Sequence, residues 1–220
     1  LVVGAGTGQT PSRFLQHDVE DLHGVDVEAE VFALIREHFD PAWLSDPRVR
    51  AIHADGRSHL LHDAERYDVI SLELGQAFRP GVAPFYTREF YARARRRLRA
   101  DGLLVQFVPL PFLTPGLFRS VVASFVEVFP RSLLWYNTSE LLLVGVEGDA
   151  PLGRDLRRRL AEPRLREDLA HRFWGGPGME QHRPEVFLAG LLAGPAELAA
   201  LARAARPLRD HDLRLEWETG

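Results

Sequence analysis

The 220-residue chain has no cysteine, so disulfide bonds, thiol catalysis and zinc–thiolate sites are all excluded. It has no lysine either, and its 27 basic residues are all arginine. Because 31 acidic residues leave a net charge of only -4, no bulk charge favours nucleic acid or an anionic membrane as a partner. No apolar run approaches the roughly 20 residues that a membrane-spanning helix needs. We therefore expect neither a nucleic-acid partner nor a membrane segment in this chain.

A starting methionine is also missing, since the chain opens at Leu1 inside an apolar strand pattern. We expect the natural N-terminus to lie upstream, so that the chain is truncated there. The segment before Leu1 is either another domain or a set of membrane helices. We predict a cytoplasmic location, with the cytosolic domain of a membrane protein as the alternative.

Strand and helix patterns alternate through the first 150 residues. The predicted strands are residues 1–3, 22–27, 49–53, 67–72 and 103–108. The predicted helices are residues 9–17, 28–39, 57–64, 88–98 and 114–128. Repeated strand–helix–strand units of this kind favour a parallel sheet with helices on both faces.

The next two strand patterns, residues 132–136 and 140–146, are separated by only a few polar residues. Strands this close must pair as an antiparallel hairpin. The whole pattern predicts an α/β fold of the class I S-adenosylmethionine-dependent methyltransferase type, Rossmann-like, with a mostly parallel seven-stranded sheet. We assign residues 1–150 to a nucleoside-binding α/β domain and residues 151–220 to a helical C-terminal extension of the same domain.

The first strand runs into a glycine-rich turn, Val3-Gly4-Ala5-Gly6-Thr7-Gly8. Glycines let the backbone approach a ligand closely, and the helix that follows offers free N–H groups. A tight strand-to-helix turn without a ligand is the alternative. The spacing G-x-G-x-G, rather than G-x-G-x-x-G, favours an adenosyl ligand over a pyrophosphate.

Acidic residues follow the next two strands. Asp26 lies about 20 residues after the turn, where a carboxylate can bind both ribose hydroxyls. Its alternative role is to cap the helix that begins near Glu28, although Glu28 is the better candidate for that cap. Asp55 ends the third strand, where it can accept from an adenine amino group or cap a helix. Together the three strand ends predict a bound adenosyl nucleoside.

A resemblance to a known family runs from VDVEAEV through DPRVRAIHADGRSHL to YDVISLELGQAFRPGVAPFYTREFYARARRRLRADGLLVQFVPL. On these segments the sequence resembles the spermidine/spermine synthase (polyamine aminopropyltransferase) family. The segment FVEVFPRSLLWYNTSELLLVGVEG continues the resemblance, which covers some 145 residues. It implies a class I S-adenosylmethionine-type fold and aminopropyl transfer from decarboxylated S-adenosylmethionine to a polyamine. It also implies that Gly4, Gly6, Asp26 and Asp55 occupy nucleoside-contacting positions.

The loop after the fourth strand departs from the family pattern. Spermidine synthases have a sequence like D-S-S-D-P there, and the second Asp is the expected base. This chain keeps an acid at the first position, Glu73, but has Gln76 at the base position, and an amide cannot accept the proton. The glycine turn has neutral Thr7 where the family often has Asp. The loop resembles more closely S-E-P-S-N-P-W-x-x-G-x-A-S-L-Y-T-R-E-F, the pattern of spermidine-synthase-like domains fused to bacterial membrane segments.

The motifs and the family resemblance together predict the site residues and ligands. We predict Glu73 and Gln76 as catalytic positions, and Glu73 and Tyr86 as substrate-binding residues. The predicted cofactor-binding residues are Gly4, Ala5, Gly6, Thr7, Asp26, Val27, Asp55 and Gly56. No tightly bound cofactor is predicted; the cosubstrate is decarboxylated S-adenosylmethionine or S-adenosylmethionine, and the second small molecule is a polyamine. The sequence leaves a homodimer open.

Three functions therefore remain open from the sequence. The leading one is a spermidine synthase-like aminopropyltransferase with a polyamine or related amine as acceptor. The second is an S-adenosylmethionine-dependent methyltransferase with an unknown acceptor. The third is a catalytically impaired nucleoside-binding domain attached to a membrane protein.

One further cluster of side chains could bind a metal ion. His59, His62 and Asp63 can meet on one helix face, but the sequence suggests no third ligand from a distant part of the chain. A solvated helix face is the favoured interpretation, and no metal is predicted.

Overall fold

The computed structural model of the protein describes residues 1–75, 79–109, 113–137, 140–149, 153, 155–212 and 214–218. Its strands are β1 (Val2–Val3), β2 (Leu22–Asp26), β3 (Val49–His53), β4 (Tyr67–Leu72), β5 (Leu98–Val108), β6 (Ser132–Asn137), β7 (Glu140–Val146) and β8 (Leu191–Ala193). They form one sheet in the order β3-β2-β1-β4-β5-β7-β6-β8. The first five strands are parallel, and the last three are paired antiparallel.

The helices follow the strands in the order that the sequence predicts. They are α1 (Gln9–Phe14), α2 (Ala29–His38), α3 (Gly56–His62), α4 (Arg88–Arg96), α5 (Pro115–Val126), α6 (Leu156–Leu160), α7 (Pro163–Leu169), α8 (Pro184–Ala189), α9 (Pro195–Ala202) and α10 (Arg214–Trp217). None of these helices, within the ranges described, is both long and apolar enough to cross a bilayer.

Two helix starts lie where their capping residues indicate. The hydroxyl of Thr87 accepts from the Phe90 N–H at the start of α4, and Thr114 caps α5 with Pro115 at the first helical position. Two predicted helix ends lie two or three residues too far along the chain. α1 ends at Phe14, and α4 ends at Arg96 because Leu98 pairs with Tyr67 as the first residue of β5.

The predicted hairpin is confirmed, with Asn137 opposite Glu140 and the register continuing to Ser132 opposite Gly145. Its connecting residues 138–139 lie outside the described ranges. The fold class is therefore the predicted one: five parallel strands followed by an antiparallel pair.

The sheet gains one strand beyond the seven predicted. β8 comes from the segment expected to be wholly helical, and it pairs with the free edge of β6. Gly190 makes this approach possible, since a Cβ there would lie 2.5 Å from Trp135 Nε1 and 2.7 Å from the Tyr136 carbonyl oxygen. α9 then packs on α5, and Leu198 is fully buried in the main core.

Candidate functional site

The glycine-rich turn lies at the carboxyl end of β1, between β2 and β4. Gly4, Gly6 and Gly8 all have positive φ, which favours glycine. A Cβ on Gly4 would lie 3.1 Å from the Glu73 carbonyl oxygen, and one on Gly8 would overlap Trp43 Nε1 at 1.9 Å. The turn is therefore packed against the loop after β4 on one side and an indole on the other.

The remaining turn residues divide into buried and exposed ones. Ala5 is buried with Phe32, Ile35 and Trp43 in a small hydrophobic cluster, so its side chain supports the turn from below. Gly6 and Thr7 are exposed and present their backbone to solvent. No sequence pattern predicted the support by Trp43, which enters from a short turn of 3-10 helix at Ala42–Ser45.

Asp26 joins the turn to the start of α2. Its Oδ2 accepts from the Gly6 N–H at 3.2 Å, and its Oδ1 accepts from the Glu28 N–H at 3.1 Å. A carboxylate has about four acceptor positions, so two backbone bonds leave capacity for a pair of hydroxyls. Glu28 does occupy the N-cap position, but its side chain makes no capping hydrogen bond, so that expectation was wrong. Val27, beside Asp26, is 59% exposed and offers an apolar surface.

Asp55 lies at the end of β3, next to the end of β2. Its side chain caps α3 by accepting from the Ser58 N–H at 2.8 Å, which is the alternative role that the sequence left open. Gly56 is buried, and a Cβ there would lie 2.3 Å from Val3 Cγ1. Glycine at this position therefore lets α3 pack directly on β1, with Asp55 at the sheet edge.

Glu73 follows β4 and is held by groups from three elements. Its N–H donates to the Val3 carbonyl at 2.9 Å, its Oε1 accepts from Ser71 Oγ at 2.5 Å, and the Thr10 hydroxyl also donates to it. Burial raises the pKa of this carboxyl, and the two side-chain hydrogen bonds offset that rise only in part. A carboxylate with a raised pKa accepts a proton more readily near neutral pH.

A second acid, Glu140, faces the same region and was not predicted. Phe107 pairs with Leu142 across β5 and β7, and Glu140 lies two residues from Leu142 on the same face. Burial raises the pKa of Glu140, and the negative charge of Glu73 raises it further. No local pattern marks this residue, because its relation to Glu73 depends on the strand order.

Tyr86 is fully buried, and its hydroxyl donates toward two backbone carbonyls. Leu74 O lies at 2.7 Å and Phe107 O at 3.2 Å. Tyr86 thus braces the loop that carries Glu73, while its contact with a substrate stays a prediction. Gln76 lies outside the described residues.

The acids at this edge share a lack of cationic partners. Asp26, Asp55, Glu73 and Glu140 have no ion pair within 4.0 Å to an arginine or histidine in the described ranges. Asp210, by contrast, pairs with Arg57 at 2.9 Å. The carboxyl edge of the sheet is therefore anionic and open to a positively charged ligand.

A mostly parallel sheet with a glycine-rich turn after β1 and an acid after β2 is an α/β fold of the methyltransferase-like class. Residues 1–144 match the family model described as the spermine/spermidine synthase domain, and the chain belongs to that family. The expected resemblance to this family is confirmed, while the closer resemblance to membrane-fused members stays a prediction.

Individual relatives agree with this assignment. The polyamine aminopropyltransferase of Moorella thermoacetica is 31% identical over 141 residues, which are 63% of this chain and 50% of the relative. That of Bacillus subtilis is 33% identical over 139 residues, 61% and 50% of the two chains. The chain thus spans about half the length of the curated relatives it matches.

The fold is shared with solved structures as well. A spermidine synthase in complex with the transition state analogue AdoDATO superposes with a TM-score of 0.71 at 20% identity. The match covers 91% of this chain and 68% of that one. At this level of identity the similarity concerns the fold alone.

Proposed function

We propose that this domain transfers an aminopropyl group from decarboxylated S-adenosylmethionine to a polyamine or a related amine. The observation that carries the proposal is the unpaired anionic edge beside the glycine-rich turn. The donor is a sulfonium that also bears an ammonium group, and the acceptor is a polycation. Family membership favours this reaction over methyl transfer and over a purely sensory domain.

The nucleoside is proposed to lie across the ends of β1, β2 and β3. Gly4, Ala5, Gly6 and Thr7 supply the backbone surface, and the remaining acceptor positions of Asp26 bind the ribose hydroxyls. Val27 and Gly56 flank the adenine, and Asp55 accepts from its amino group. Each carboxylate already has a backbone partner, which fixes its orientation before the ligand arrives.

The reaction is a direct displacement. The acceptor nitrogen bonds to the aminopropyl carbon beside sulfur, the carbon–sulfur bond breaks, its electron pair stays on sulfur, and methylthioadenosine leaves. The attacking nitrogen sheds a proton, which we assign to Glu73 because Gln76 cannot accept it. The raised pKa of Glu73 suits this role.

Glu140 supplies a second carboxylate for the acceptor. Two acids facing one region repel each other, and a polycation placed between them relieves that repulsion. Tyr86 acts on the same region by holding the backbone at Leu74 and Phe107, so we describe it as a positioning residue.

The test uses the full-length protein with either donor and a diamine acceptor, followed by product analysis by mass. We expect methylthioadenosine and an aminopropylated amine with the decarboxylated donor. A methylated product from S-adenosylmethionine would replace the proposal by the methyltransferase alternative. Donor binding without any turnover would favour an impaired nucleoside-binding domain. Glu37→Gln, which removes an exposed acid on α2, serves as the matched control for variants at this edge.

A further inference from the structure

Four polar side chains converge at the opposite, amino edge of the sheet. They are His23 on β2, Tyr67 at the start of β4, His59 on α3, and Asp63 directly after α3. All four are largely buried, with His23 only 4% exposed. The third, distant ligand that the sequence did not suggest for His59 and Asp63 is therefore present in the fold.

The cluster has the dimensions of a coordination sphere. Tyr67 Oη lies 3.0 Å from His23 Nδ1 and 3.3 Å from His59 Nε2, and it donates to Asp63 Oδ2. His59 Nε2 lies 3.2 Å from the same Asp63 oxygen. Ligands bound about 2.0–2.1 Å from a tetrahedral cation are roughly 3.3 Å apart. His23, His59 and Asp63 offer ligand atoms that all lie within 4.8 Å of one another.

The other nitrogen of His23 is left unsatisfied in a hydrogen-bond network built on a neutral imidazole. The single Tyr67 proton is directed to Asp63, so in such a network His23 Nδ1 must be the donor to Tyr67. A neutral imidazole then has a bare lone pair on Nε2. That buried Nε2 has no hydrogen-bond partner, and it faces Asp21 Oδ2 at 3.3 Å and Glu65 Oε2 at 3.7 Å.

A metal ion bound to His23 Nδ1 requires the opposite tautomer of the imidazole. The Nδ1 lone pair binds the metal, and the proton moves to Nε2, where it points to the two carboxylates. Histidine ligands usually have a carboxylate behind them in this way. Arg50 holds both acids in place, at 3.1 Å from Asp21 and 3.1 Å from Glu65.

We propose that His23 Nδ1, His59 Nε2 and Asp63 Oδ2 bind one divalent transition-metal ion, with the Tyr67 hydroxyl as the fourth group. Two imidazoles and a carboxylate suit zinc or ferrous iron better than calcium or magnesium, which prefer all-oxygen ligands. A cleft of about 470 Å³ borders the cluster at His23 and Tyr67.

The site lies away from the proposed reaction. Glu73 lies six positions after Tyr67 along β4, a distance of about 20 Å in an extended strand. The metal would connect β2, α3 and β4, and we therefore expect it to stabilise the fold and to leave turnover unchanged. This inference does not depend on the proposed function.

The test is titration of chelator-treated protein with zinc chloride, followed by calorimetry and by thermal unfolding. We expect one zinc ion per chain and a higher unfolding temperature. His23→Gln and His59→Gln should each weaken binding by about 100-fold or more, and Asp21→Asn by about 10-fold to 100-fold. His62→Gln is the matched control, because His62 lies on the same helix but bonds only to the Ser58 carbonyl.

Two results would overturn the site. One is the absence of stoichiometric zinc binding; the other is equal binding by His59→Gln and His62→Gln. Should the variants fold poorly, nitrogen NMR of the unsubstituted protein decides the question. Zinc should then shift two of the nine histidines to the metal-bound form, one through Nδ1 and one through Nε2. No such shift would also exclude the proposal.

Discussion

The two edges of the sheet differ in whether their acidic side chains have cationic partners. At the carboxyl edge Asp26, Asp55, Glu73 and Glu140 have no arginine or histidine partner in the part of the chain that is described. At the amino edge a guanidinium neutralises the acids: Arg50 pairs with both Asp21 and Glu65. Uncompensated charge beside the glycine-rich turn suits a cationic ligand that enters and leaves, whereas compensated charge next to buried polar groups suits a permanent structural role.

The two edges also differ in the groups that orient their polar side chains. Carboxyl-edge acids are oriented by backbone N–H groups or by hydroxyls, which are neutral and leave the negative charge intact. Amino-edge groups are oriented by one another, so removal of any one leaves a buried partner unsatisfied. The comparison predicts that changes at the carboxyl edge mainly alter function and that changes at the amino edge mainly alter stability.

Glu73→Gln should have the largest effect and tests the functional half of the comparison most directly. Loss of the proposed proton acceptor should lower turnover by about two to four orders of magnitude. The amide can still accept from Ser71 and Thr10, so the fold should be retained. Steady-state kinetics of methylthioadenosine formation measures the effect, and the surface variant Glu37→Gln should be unaffected.

Unchanged turnover in Glu73→Gln would remove the loop after β4 from the reaction. Gln76→Asp gives a complementary test, because it restores the carboxylate expected in the family. It should raise polyamine aminopropyl transfer if only the base was lost. If Gln76→Asp raises aminopropyl transfer and Glu73→Gln leaves turnover unchanged, the proton acceptor would be assigned to position 76.

Gly8→Ala should cause the next largest effect, a loss of stability. It is an exception to the difference between the two edges, since this substitution at the carboxyl edge alters stability. The added Cβ would overlap the Trp43 indole, and the positive φ adds backbone strain. Each effect costs about 1–3 kcal/mol, so that each alone lowers the ratio of folded to unfolded protein roughly 5-fold to 150-fold. Denaturant unfolding measures the loss. Gly153→Ala is the control, because it has a positive φ but open space around its Cα.

Asp26→Asn should weaken donor binding by about 10-fold to 100-fold. A hydrogen bond to a charged group contributes about 1.5–3 kcal/mol, and the amide replaces one acceptor oxygen by a donor. Calorimetry with decarboxylated S-adenosylmethionine and methylthioadenosine should show the same loss for both, because they share the ribose. A loss confined to one ligand would contradict a ribose contact.

Glu140→Gln should raise the KM for the polyamine several-fold and leave kcat within about twofold, because a partly exposed carboxylate contributes modestly to binding a cation. Glu73→Gln should in turn lower the pKa of Glu140, since it removes the negative charge that raises it. Carboxyl-carbon NMR titration measures that shift. A fall in kcat with an unchanged KM would place Glu140 in the chemical step instead.

The smallest effect is expected in the pH dependence of stability. Because burial raises the pKa of Glu73 in the folded state, the folded protein binds its proton more tightly than the unfolded chain does. This group therefore makes stability fall as pH rises from the unfolded pKa of about 4.3 to the folded value, and the penalty is constant above it. Glu73→Gln should unfold about 1–3 °C higher than the unsubstituted protein at pH 8.

Below about pH 3 the difference between the two proteins should vanish, because Glu73 is then protonated in both states. Thermal unfolding of the two proteins across this range measures the effect. A stabilisation by Glu73→Gln that persists below about pH 3 would show that the carboxylate is not under strain from burial.

The sequence determined the elements whose signals are local. Strand and helix alternation predicted the parallel sheet, the short polar connection predicted the β6–β7 hairpin, and Thr87 and Thr114 marked two helix starts correctly. Such signals act over a few residues, and the backbone resolves them through hydrogen bonds within the same turn or strand. The ends of elements were less predictable, because Leu98 is taken into β5 by a partner 31 residues away.

Only the tertiary structure decided which side chains meet. Gly8 requires glycine because Trp43 packs against it, the charge of Glu73 raises the pKa of Glu140 across β5, and β8 joins the sheet because β6 has a free edge. The same holds for His23 and His59, which are 36 residues apart and share a cluster only because β2 and α3 lie side by side. These contacts depend on strand order and on the packing of distant elements, which a pattern repeated every two or three to four residues does not contain.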